Sequence, residues 1–581
     1  MRSTIARRIS QGFFLALFLW FCIVSSVGMA LWQLRGWPVD WFLQLDPLVA
    51  LGTALTTWSL PGELWWALVT ITLTLVLGRV FCGWICPMGT LQQIVGWWGN
   101  RRKPVAEMVA LNRYRPAQGI KYIVLAVLLG GAALGLLQTG LLDPIPLAQR
   151  SVSLVVLGVV DGPLAWLAVA PRHYEESVLL GAVFLGLVLM CLRIPRFFCR
   201  FLCPTGALLG LLSRFSVWRI GKNTNPCHDC HLCDRYCEGA CTPAGAIRTG
   251  ECVMCMNCLD GCAVHATMTY ATEPSAGGVD DVPDVTRRAL LTAAGAGLVT
   301  VPLLRLTGRG SANWNPGLIR PPGSLEEAEF LGRCLKCGQC MRVCPTNVIQ
   351  PAGLQFGASA LWTPALNNRA GTSGCQLNCV ACGRACPTGA IRALTLNEKQ
   401  GRGAFKAAGP VRIGTAFLDR GRCLPWAMDR PCIVCEENCP VTPKAIHLEE
   451  EFRTVRGGSL TVAGVTAGTL RVVGASLVPD RYATGDFFCV LAGSGARRRI
   501  TGNTESELVL DPSARWTARP AAGAAAAIQV RLQKPRVDSE ACIGCGVCEH
   551  ECVVNGLRAI MVSAENESRS DEHALAVRTK A

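Results

Sequence analysis

Histidine is scarce in this sequence, with 7 residues among 581. This scarcity excludes metal sites built from several imidazole ligands, because no group of histidines has the spacing that such sites require. The C-x-x-C-H pattern at residues 227–231 matches the signature of c-type haem attachment. Both of its cysteines also belong to a longer cysteine run, so we do not expect haem here.

Charged residues are also few, at 17% of the chain. Together with a mean hydropathy of +0.32 and 16 tryptophans, this composition indicates that part of the chain lies in a membrane. A helix needs about 20 residues to cross a bilayer. Four apolar stretches within a predicted membrane domain, residues 1–222, approach this length: 12–34, 63–81, 119–142 and 177–194.

Basic residues decide the predicted topology of these spans. Loops 82–116 and 195–222 hold 5 Lys or Arg each, whereas loops 35–62 and 143–176 hold 3 between them. Four spans with both ends in the cytoplasm therefore satisfy the positive-inside rule. The apolar segment 151–170 is then expected to form an interfacial or re-entrant hairpin.

Cysteine is abundant, with 32 residues, and its spacing indicates its role. Disulfide frameworks belong mainly to small secreted chains, and zinc sites usually combine two short Cys or Cys/His pairs. Here the run C-x2-C-x2-C-x3-C recurs, which is the pattern that holds 4Fe–4S clusters in bacterial ferredoxins. The sequence therefore predicts about six such clusters, each built on four cysteines.

A two-cluster ferredoxin domain is predicted at residues 223–275. In such domains the fourth cysteine of each run binds the other cluster. One set is therefore Cys227, Cys230, Cys233 and Cys262. The other set is Cys252, Cys255 and Cys258 with either Cys237 or Cys241. Spacing favours Cys237, whereas the ferredoxin-like sequence that follows Cys241 favours Cys241, so the choice stays open.

Four further runs lie in a predicted polyferredoxin domain, residues 323–560. Their members are Cys334, Cys337, Cys340, Cys344, Cys375, Cys379, Cys382, Cys386, Cys423, Cys432, Cys435, Cys439, Cys542, Cys545, Cys548 and Cys552. We expect nested pairing, first run with fourth and second with third, because the domain then closes on itself. The segment 452–533, rich in Val, Thr and Gly, is predicted to loop out as a β-rich insertion in which Cys489 is a core residue.

The membrane part contains an internal repeat, FCGWICPMGTL at 81–91 and FCRFLCPTGAL at 198–208. Each copy is preceded by an Asp-Pro pair, at Asp46 and Asp143. Two spans per copy orient both repeats alike, about an axis along the membrane normal, so their cysteines are expected to converge at the cytoplasmic surface. We predict a seventh redox-metal site, a cubane or a thiol/metal centre, formed by Cys82, Cys86, Cys199 and Cys203. The isolated Cys22 and Cys191 are expected to be small buried hydrophobes.

The formal charge of +15 can indicate nucleic-acid binding. Two other causes explain it better. Cytoplasmic loops of membrane proteins collect Lys and Arg, and each four-cysteine cubane adds roughly two negative charges. We therefore expect no nucleic-acid partner.

Residues 284–306 form a border between two regions. Arg287 and Arg288 precede an apolar run that resembles a twin-arginine export signal. Because cubanes are built in the cytoplasm and tie distant cysteines together, such a domain must fold before export. We therefore expect residues 1–285 in the membrane and cytoplasm, residues after 306 in the periplasm, and the signal retained as a fifth span.

With these motifs assembled, the chain resembles two families joined end to end. Residues 1–270, with paired C-x3-C-P motifs and a two-cluster ferredoxin, resemble the membrane quinol dehydrogenase subunit NapH, its relative MauN and the membrane core of NosR. Residues 284–560, a twin-arginine signal followed by four cubane runs, resemble NapG and MauM. The resemblance does not cover the β-rich insertion.

The resemblance implies a bacterial inner-membrane protein that passes electrons from the quinone pool, or from a cytoplasmic donor, to a periplasmic cytochrome or reductase. It also implies an alternative, an assembly factor that supplies electrons to a maturing periplasmic metalloenzyme or quinone-cofactor enzyme. A quinol dehydrogenase needs a proton acceptor, for which Asp143 or Asp46 at the outer ends of the spans are candidates, although helix capping is the other role of each. The expected fold is membrane α-helical, four spans plus a fifth signal or anchor span, with ferredoxin-like α+β domains and a β-rich insertion.

Overall fold

The computed structural model describes residues 2–27, 38–59, 62–161, 172–222, 230–262, 268–272, 285–309, 315–474, 476–493, 495–513, 516 and 520–575. The chain divides into two compact units. The first comprises Met1–Thr372 with Asn378–Val411, and the second comprises Ser373–Leu377 with Arg412–Ala581.

The N-terminal part of the first unit is helical. Its main helices are α1 (Arg2–Val27), α2 (Pro47–Thr57), α3 (Ala67–Leu77), α4 (Pro87–Asn100), α5 (Val105–Leu111), α6 (Ile120–Ala133), α7 (Pro144–Ser151), α8 (Ser177–Leu189), α9 (Pro204–Leu212) and α10 (Arg287–Arg309). A 3-10 helix at Gly62–Trp66 precedes α3, and a π-helix at Val152–Val156 followed by a short α-helix at Leu157–Val160 extends α7.

Four of these helices begin at a proline, because the fixed backbone angle of proline suits the first helical position. Asp46 and Asp143 precede α2 and α7, and Cys86 and Cys203 precede α4 and α9. We call α2 and α7 the Asp–Pro helices, and α4 and α9 the Cys–Pro helices. Each Asp–Pro helix packs against the Cys–Pro helix of the other repeat, α2 against α9 and α7 against α4, so the two repeats interlock.

Two stretches of the described residues are long and apolar enough to cross a membrane, Ser3–Ser25 and Val105–Ala133. They overlap the predicted spans 12–34, whose last residues lie outside the described part, and 119–142. The other two predicted spans coincide with shorter apolar helices, Gly62–Leu77 and Ser177–Leu192. The four continuous spans stay a prediction, because the chain also uses half-length helices that start at proline.

The helix of the predicted signal, α10, packs closely against α6. A Cβ added to Gly297 would lie 2.3 Å from the carbonyl oxygen of Val127, and one added to Gly130 would lie 2.6 Å from that of Ala294. Such approach of two backbones at small residues is typical of helix pairs in membranes. Retention of α10 as a fifth span stays a prediction.

Replacing Gly297 by leucine is therefore expected to separate α10 from α6. Overpacking of this kind lowers the free energy of unfolding by about 1–3 kcal/mol, which thermal unfolding in detergent would measure. Gly295→Leu is the matched control, because a Cβ on Gly295 meets nothing within 4 Å. Equal effects of the two variants would contradict the packing.

The cysteine-rich segments contain short helices and small antiparallel sheets. β1 (Arg219–Lys222) pairs with β2 (Met268–Ala271), and β3 (Ile349–Pro351) pairs with β4 (Pro364–Leu366). In the second unit, β5 (Thr415–Leu418), near the start of its sequence, pairs with β12 (Ile560–Ser563), near the end.

The predicted β-rich insertion is confirmed. It forms a closed antiparallel barrel. Its strands are β6 (Ile446–Val465), β7 (Thr469–Val473), β8 (Phe487–Leu491), β9 (Arg497–Asn503), β10 (Glu507–Leu510) and β11 (Ala525–Val537), in the order β10-β7-β6-β11-β8-β9. The barrel is longer than the predicted 452–533, because β6 and β11 extend past its rim as a ribbon. Cys489 lies in its apolar core, as expected.

Candidate functional site

The four cysteines of the internal repeat lie inside the helical assembly. We call Cys82, Cys86, Cys199 and Cys203 the Cys–Pro centre. Cys86 and Cys203 are buried in one apolar cluster, against which Cys82 packs. Both begin Cys–Pro helices of more than eight residues, and a helix N-terminus carries about half a positive charge, which favours thiolates or an anionic cluster.

Two buried arginines connect the repeats at this centre. Arg79 Nη2 lies 3.9 Å from Cys82 Sγ, and a Cβ added to Gly206 of the other repeat would lie 3.0 Å from the same nitrogen. Arg196 Nη1 donates to the carbonyl oxygen of Cys82 at 3.3 Å. Sequence reasoning missed these residues, although both copies read R-x2-C-x3-C-P, with an arginine three residues before the first cysteine.

The Asp–Pro pairs of the two repeats meet beside the Cys–Pro centre. Asp143 Oδ1 accepts a hydrogen bond of 2.6 Å from the Thr205 hydroxyl, and Asp46 Oδ1 lies 3.4 Å from the same hydroxyl. The two carboxyl groups also interact directly. Asp46 caps α2 through the Leu48 N–H at 2.9 Å, whereas Asp143 makes no side-chain cap. Capping, the alternative weighed for both, therefore accounts for Asp46 only.

This pair of residues, the Asp pair, is fully buried, and one oxygen of each carboxyl finds no partner among the described residues. Ionising both of these buried carboxyl groups is unfavourable because like charges repel, which favours a protonated carboxyl in the pair. The pair lies against the first turn of α9, within the helical assembly. The arrangement is that of a proton-holding site next to a cysteine centre.

The predicted cytoplasmic ferredoxin packs directly on the Cys–Pro centre. Trp84 Nε1 donates to the carbonyl oxygen of Met254 at 2.9 Å, and a Cβ on Gly83 would lie 2.2 Å from that of Val253. Arg79 Nη1 reaches the carbonyl oxygen of Gly250 at 2.6 Å. The loop between Cys82 and Cys86 thus touches the backbone between Cys252 and Cys255.

Within this domain the cysteines gather as two groups. The thiols of Cys252, Cys255, Cys258 and Cys237 act on one another electrostatically. Cys241 Sγ lies 3.4 Å from Cys237 Sγ, so the choice between these two residues stays open. Cys233 lies beside Cys262, as expected for the other set. Of the other two members of that set, Cys230 is exposed, whereas Cys227 lies outside the described residues, as does His228 of the haem-like pattern.

The second unit contains two cavities, each lined by four cysteines. One is lined by Cys439, Cys542, Cys545 and Cys548. The other is lined by Cys423, Cys432, Cys435 and Cys552. In both, three cysteines of one run meet the fourth cysteine of the other, which is the ferredoxin exchange.

In the first unit the same exchange joins the first two runs. Cys334, Cys337 and Cys340 lie near Cys386, and the helices Gln339–Arg342 and Ala381–Arg384 pack together. The predicted nested pairing is therefore wrong: adjacent runs pair, first with second and third with fourth. The physical reason is that each pair forms its own compact core, with helices Val434–Glu437 and Val547–Glu551 packed beneath β5 and β12.

The remaining cysteines of the first two runs are divided between the two units. Cys344 and Cys382 are buried and Cys379 is half-buried in the first unit. Cys375 falls in the second unit, where its N–H donates to the Cys545 carbonyl oxygen at 2.7 Å. Their role as ligands stays a prediction, as does that of every cysteine above.

The ferredoxin spacing of the runs and the exchange of the fourth cysteine favour 4Fe–4S clusters over zinc. Burial, with the neighbouring thiols of Cys423, Cys432 and Cys552, raises the pKa of Cys435 to about 12. Such thiols are deprotonated only when metal binds.

The first run of the predicted polyferredoxin domain packs on the loops predicted to face outward. Gln339 Nε2 donates to the Val39 carbonyl oxygen at 2.9 Å, and Arg150 Nη1 donates to that of Lys336 at 3.0 Å. Arg342 forms a two-bond ion pair with Asp161, at 2.6 and 2.8 Å, in which both side chains are fully buried. The residues around Cys334–Cys344 are thus fixed to the helical assembly.

Breaking this ion pair with Arg342→Leu is expected to lower the free energy of unfolding by about 3–5 kcal/mol, because Asp161 is left buried and unpaired. Thermal unfolding would measure the loss. Arg333→Leu is the control, since Arg333 pairs with Glu329 at the surface and such pairs contribute at most about 1 kcal/mol. A double variant with Asp161→Asn should lose less than the sum of the two single losses; strict additivity would refute the pairing.

Comparison with known proteins agrees with this arrangement. A family model described as a 4Fe-4S binding domain matches residues 60–105 and 177–223, which contain the two C-x3-C-P motifs. A second 4Fe-4S binding domain model matches residues 330–350. YccM of Escherichia coli strain K12 is 28% identical over 278 residues, 46% of this chain and 74% of its own.

The ferredoxin-type protein NapH of Escherichia coli strain K12 is 27% identical over 300 residues, 48% of this chain and 91% of its own. The methylamine utilization ferredoxin-type protein MauN of Paracoccus denitrificans is 27% identical over 198 residues, 33% of this chain and 60% of its own. The regulatory protein NosR of Pseudomonas aeruginosa matches over 25% of its length. The chain is NapH-, MauN- and NosR-like.

This similarity makes the chain an iron–sulfur protein of the electron-transfer type, and it confirms the NapH, MauN and NosR part of the predicted resemblance. The NapG and MauM part stays a prediction. No solved structure matches the chain.

Proposed function

We propose that this NapH-like chain is a membrane electron conduit, which passes electrons from quinol or a cytoplasmic donor through 4Fe–4S clusters to a redox protein in the periplasm. One observation carries the proposal. A single buried cluster contains Cys86 and Cys203 of the Cys–Pro centre together with Cys337 of the first exported run. On its other side the same centre touches the backbone at Val253 and Met254 of the cytoplasmic ferredoxin.

The contacts of the two cysteine-rich regions support a division between compartments. The ferredoxin at 230–262 contacts residues of the basic loops, which the positive-inside rule assigns to the cytoplasm: Asn112 donates to the Arg235 carbonyl oxygen at 2.8 Å. The first exported run hydrogen-bonds to residues of the opposite set, Val39, Arg150 and Asp161. The Cys–Pro centre lies between the two regions.

The Asp pair would supply the proton chemistry. Oxidation of a quinol releases two electrons and two protons, and bound 4Fe–4S clusters would accept the electrons one at a time. An ionised carboxylate of the pair would take up one of these protons, and the Thr205 hydroxyl donates to Asp143 Oδ1 and holds it in place. The second proton leaves to water.

Mixing of anaerobic, iron-loaded chain with a soluble quinol tests the proposal. We expect the quinol to bleach the iron–sulfur absorbance and to produce the EPR signals of reduced clusters. Protein that keeps its full iron content yet stays oxidised under quinol would refute a quinol donor. A maturation factor would show the same reduction and differ in the acceptor alone.

A further inference from the structure

A large cavity that no cysteine lines lies between the start of α1, the helix α4 and the ferredoxin segment 235–261. Its volume is about 540 Å³, within the range of ligand sites. Six basic residues line it: Arg7, Arg8, Arg101, Lys103, Arg196 and Arg235. Two acidic residues line it, Glu238 and Asp260.

The hydrogen bonds of the lining leave donors in excess. Arg7 and Arg196 both pair with Glu238, at 2.8 and 2.9 Å, yet the Nε of each finds no partner among the described residues. Gln92 is fully buried, and its amide nitrogen also has no partner within the described chain. Among the buried acceptors of the lining, only Asn100 Oδ1 finds no hydrogen-bond partner within the described residues. The six basic residues of the lining outnumber its two acidic residues, and this excess of positive charge favours a ligand with anionic acceptor oxygens.

The surroundings of the cavity are those of a membrane–water interface. Trp97 lines it with 59% of its surface exposed, and Trp98 beside it is 63% exposed. Ile9 on α1 and Ile94 on α4 are exposed on the same helices. Exposed indoles next to arginines mark the headgroup level of a bilayer, and basic pockets between membrane helices on the cytoplasmic side hold acidic lipid headgroups.

We propose that this cavity binds the phosphate headgroup of an anionic phospholipid, with its acyl chains along the exposed apolar residues of α1 and α4. The phosphate oxygens face the exposed Arg8 and Arg101 at the rim of the cavity. A phosphate-bearing soluble molecule offers the same headgroup chemistry without the chains. The assignment does not depend on quinol oxidation.

Native mass spectrometry of the full chain in detergent, titrated with phosphatidylglycerol, tests the proposal. Each interfacial arginine contributes about 1 kcal/mol, or about fivefold in affinity. We therefore expect the double variant R8Q/R101Q to bind phosphatidylglycerol about 30-fold more weakly than the native chain. Both arginines are exposed, so folding should be kept.

The matched control is R102Q/R113Q, which removes the same charge from exposed positions outside the cavity. It should bind like the native chain, and phosphatidylcholine should bind weakly throughout. Equal binding of both lipids, equal losses in both double variants, or binding of inorganic phosphate with no binding of phosphatidylglycerol would each overturn the proposal. Quinol reduction of the clusters is measured separately, so its failure leaves this result unaffected.

Discussion

Replacing Cys439 and Cys542 together should remove no more iron than replacing either residue alone. Both line one cavity of the second unit, so each substitution is expected to abolish the same cluster, about four iron atoms per chain. Replacing Cys439 and Cys552 together should instead remove about eight, because Cys552 lines the other cavity. Iron and sulfide analysis of the purified alanine variants measures these differences.

The control for this series is Cys489→Ala, a buried cysteine in the barrel that lines neither cavity. It should keep all its iron. Losses of about eight iron atoms in the Cys439/Cys542 pair would contradict the adjacent pairing of runs. A full iron content in Cys552→Ala would show that this residue is not a ligand.

Replacing Asp143 by asparagine should slow quinol oxidation by about 10²–10⁴-fold, the usual contribution of a positioned base. The substitution keeps the shape and the oxygen that Thr205 contacts, but it removes the carboxylate that takes up the proton. Asp46→Asn should have a similar effect and should also weaken the cap of α2. The rate of cluster reduction by quinol, normalised to iron, is the measurement.

Asp40→Asn is the matched control variant. Asp40 lies on the same segment as Asp46, but its carboxylate accepts a hydrogen bond from the Gln44 amide and does not belong to the Asp pair. Its rate should stay native. An unchanged rate in Asp143→Asn with full iron would remove the Asp pair from the proposed function. A rate that falls only in proportion to lost iron would assign the residue a structural role.

The spacing of the cysteines predicted which residues gather, because each run is local and its geometry is set within about a dozen residues. It did not predict which runs pair. That outcome depends on which short helices share a core, and nested and adjacent pairings use the same spacing. The pairing became visible only in the structure, where one cavity contains Cys542 and the other contains Cys423.

Hydropathy was a partial guide to the membrane part. It located the apolar segments but not the half-length helices. The prolines of the Asp-Pro and Cys-Pro pairs are visible in the sequence and indicate where these helices begin. The meeting of Asp46 with Asp143 could not be foreseen, since it requires the two repeats to interlock. The arginine before each C-x3-C-P motif, Arg79 and Arg196, could have been found by extending the repeat two residues upstream.

The charge excess was predicted to belong to cytoplasmic loops and to clusters. Part of it lines one cavity, which combines the basic-loop residues Arg101, Lys103 and Arg196 with Arg7 and Arg8 of α1. No sequence pattern brings residues near positions 7, 100 and 235 together. Only the packing of α1 and α4 against the ferredoxin segment does so.

The most direct test of cysteine-held iron is the iron, acid-labile sulfide and zinc content of the purified full-length chain. We expect about 24 iron and about 24 sulfide per chain from six clusters, with little zinc. Colourless, iron-free protein whose cysteines form disulfides or hold zinc would contradict it.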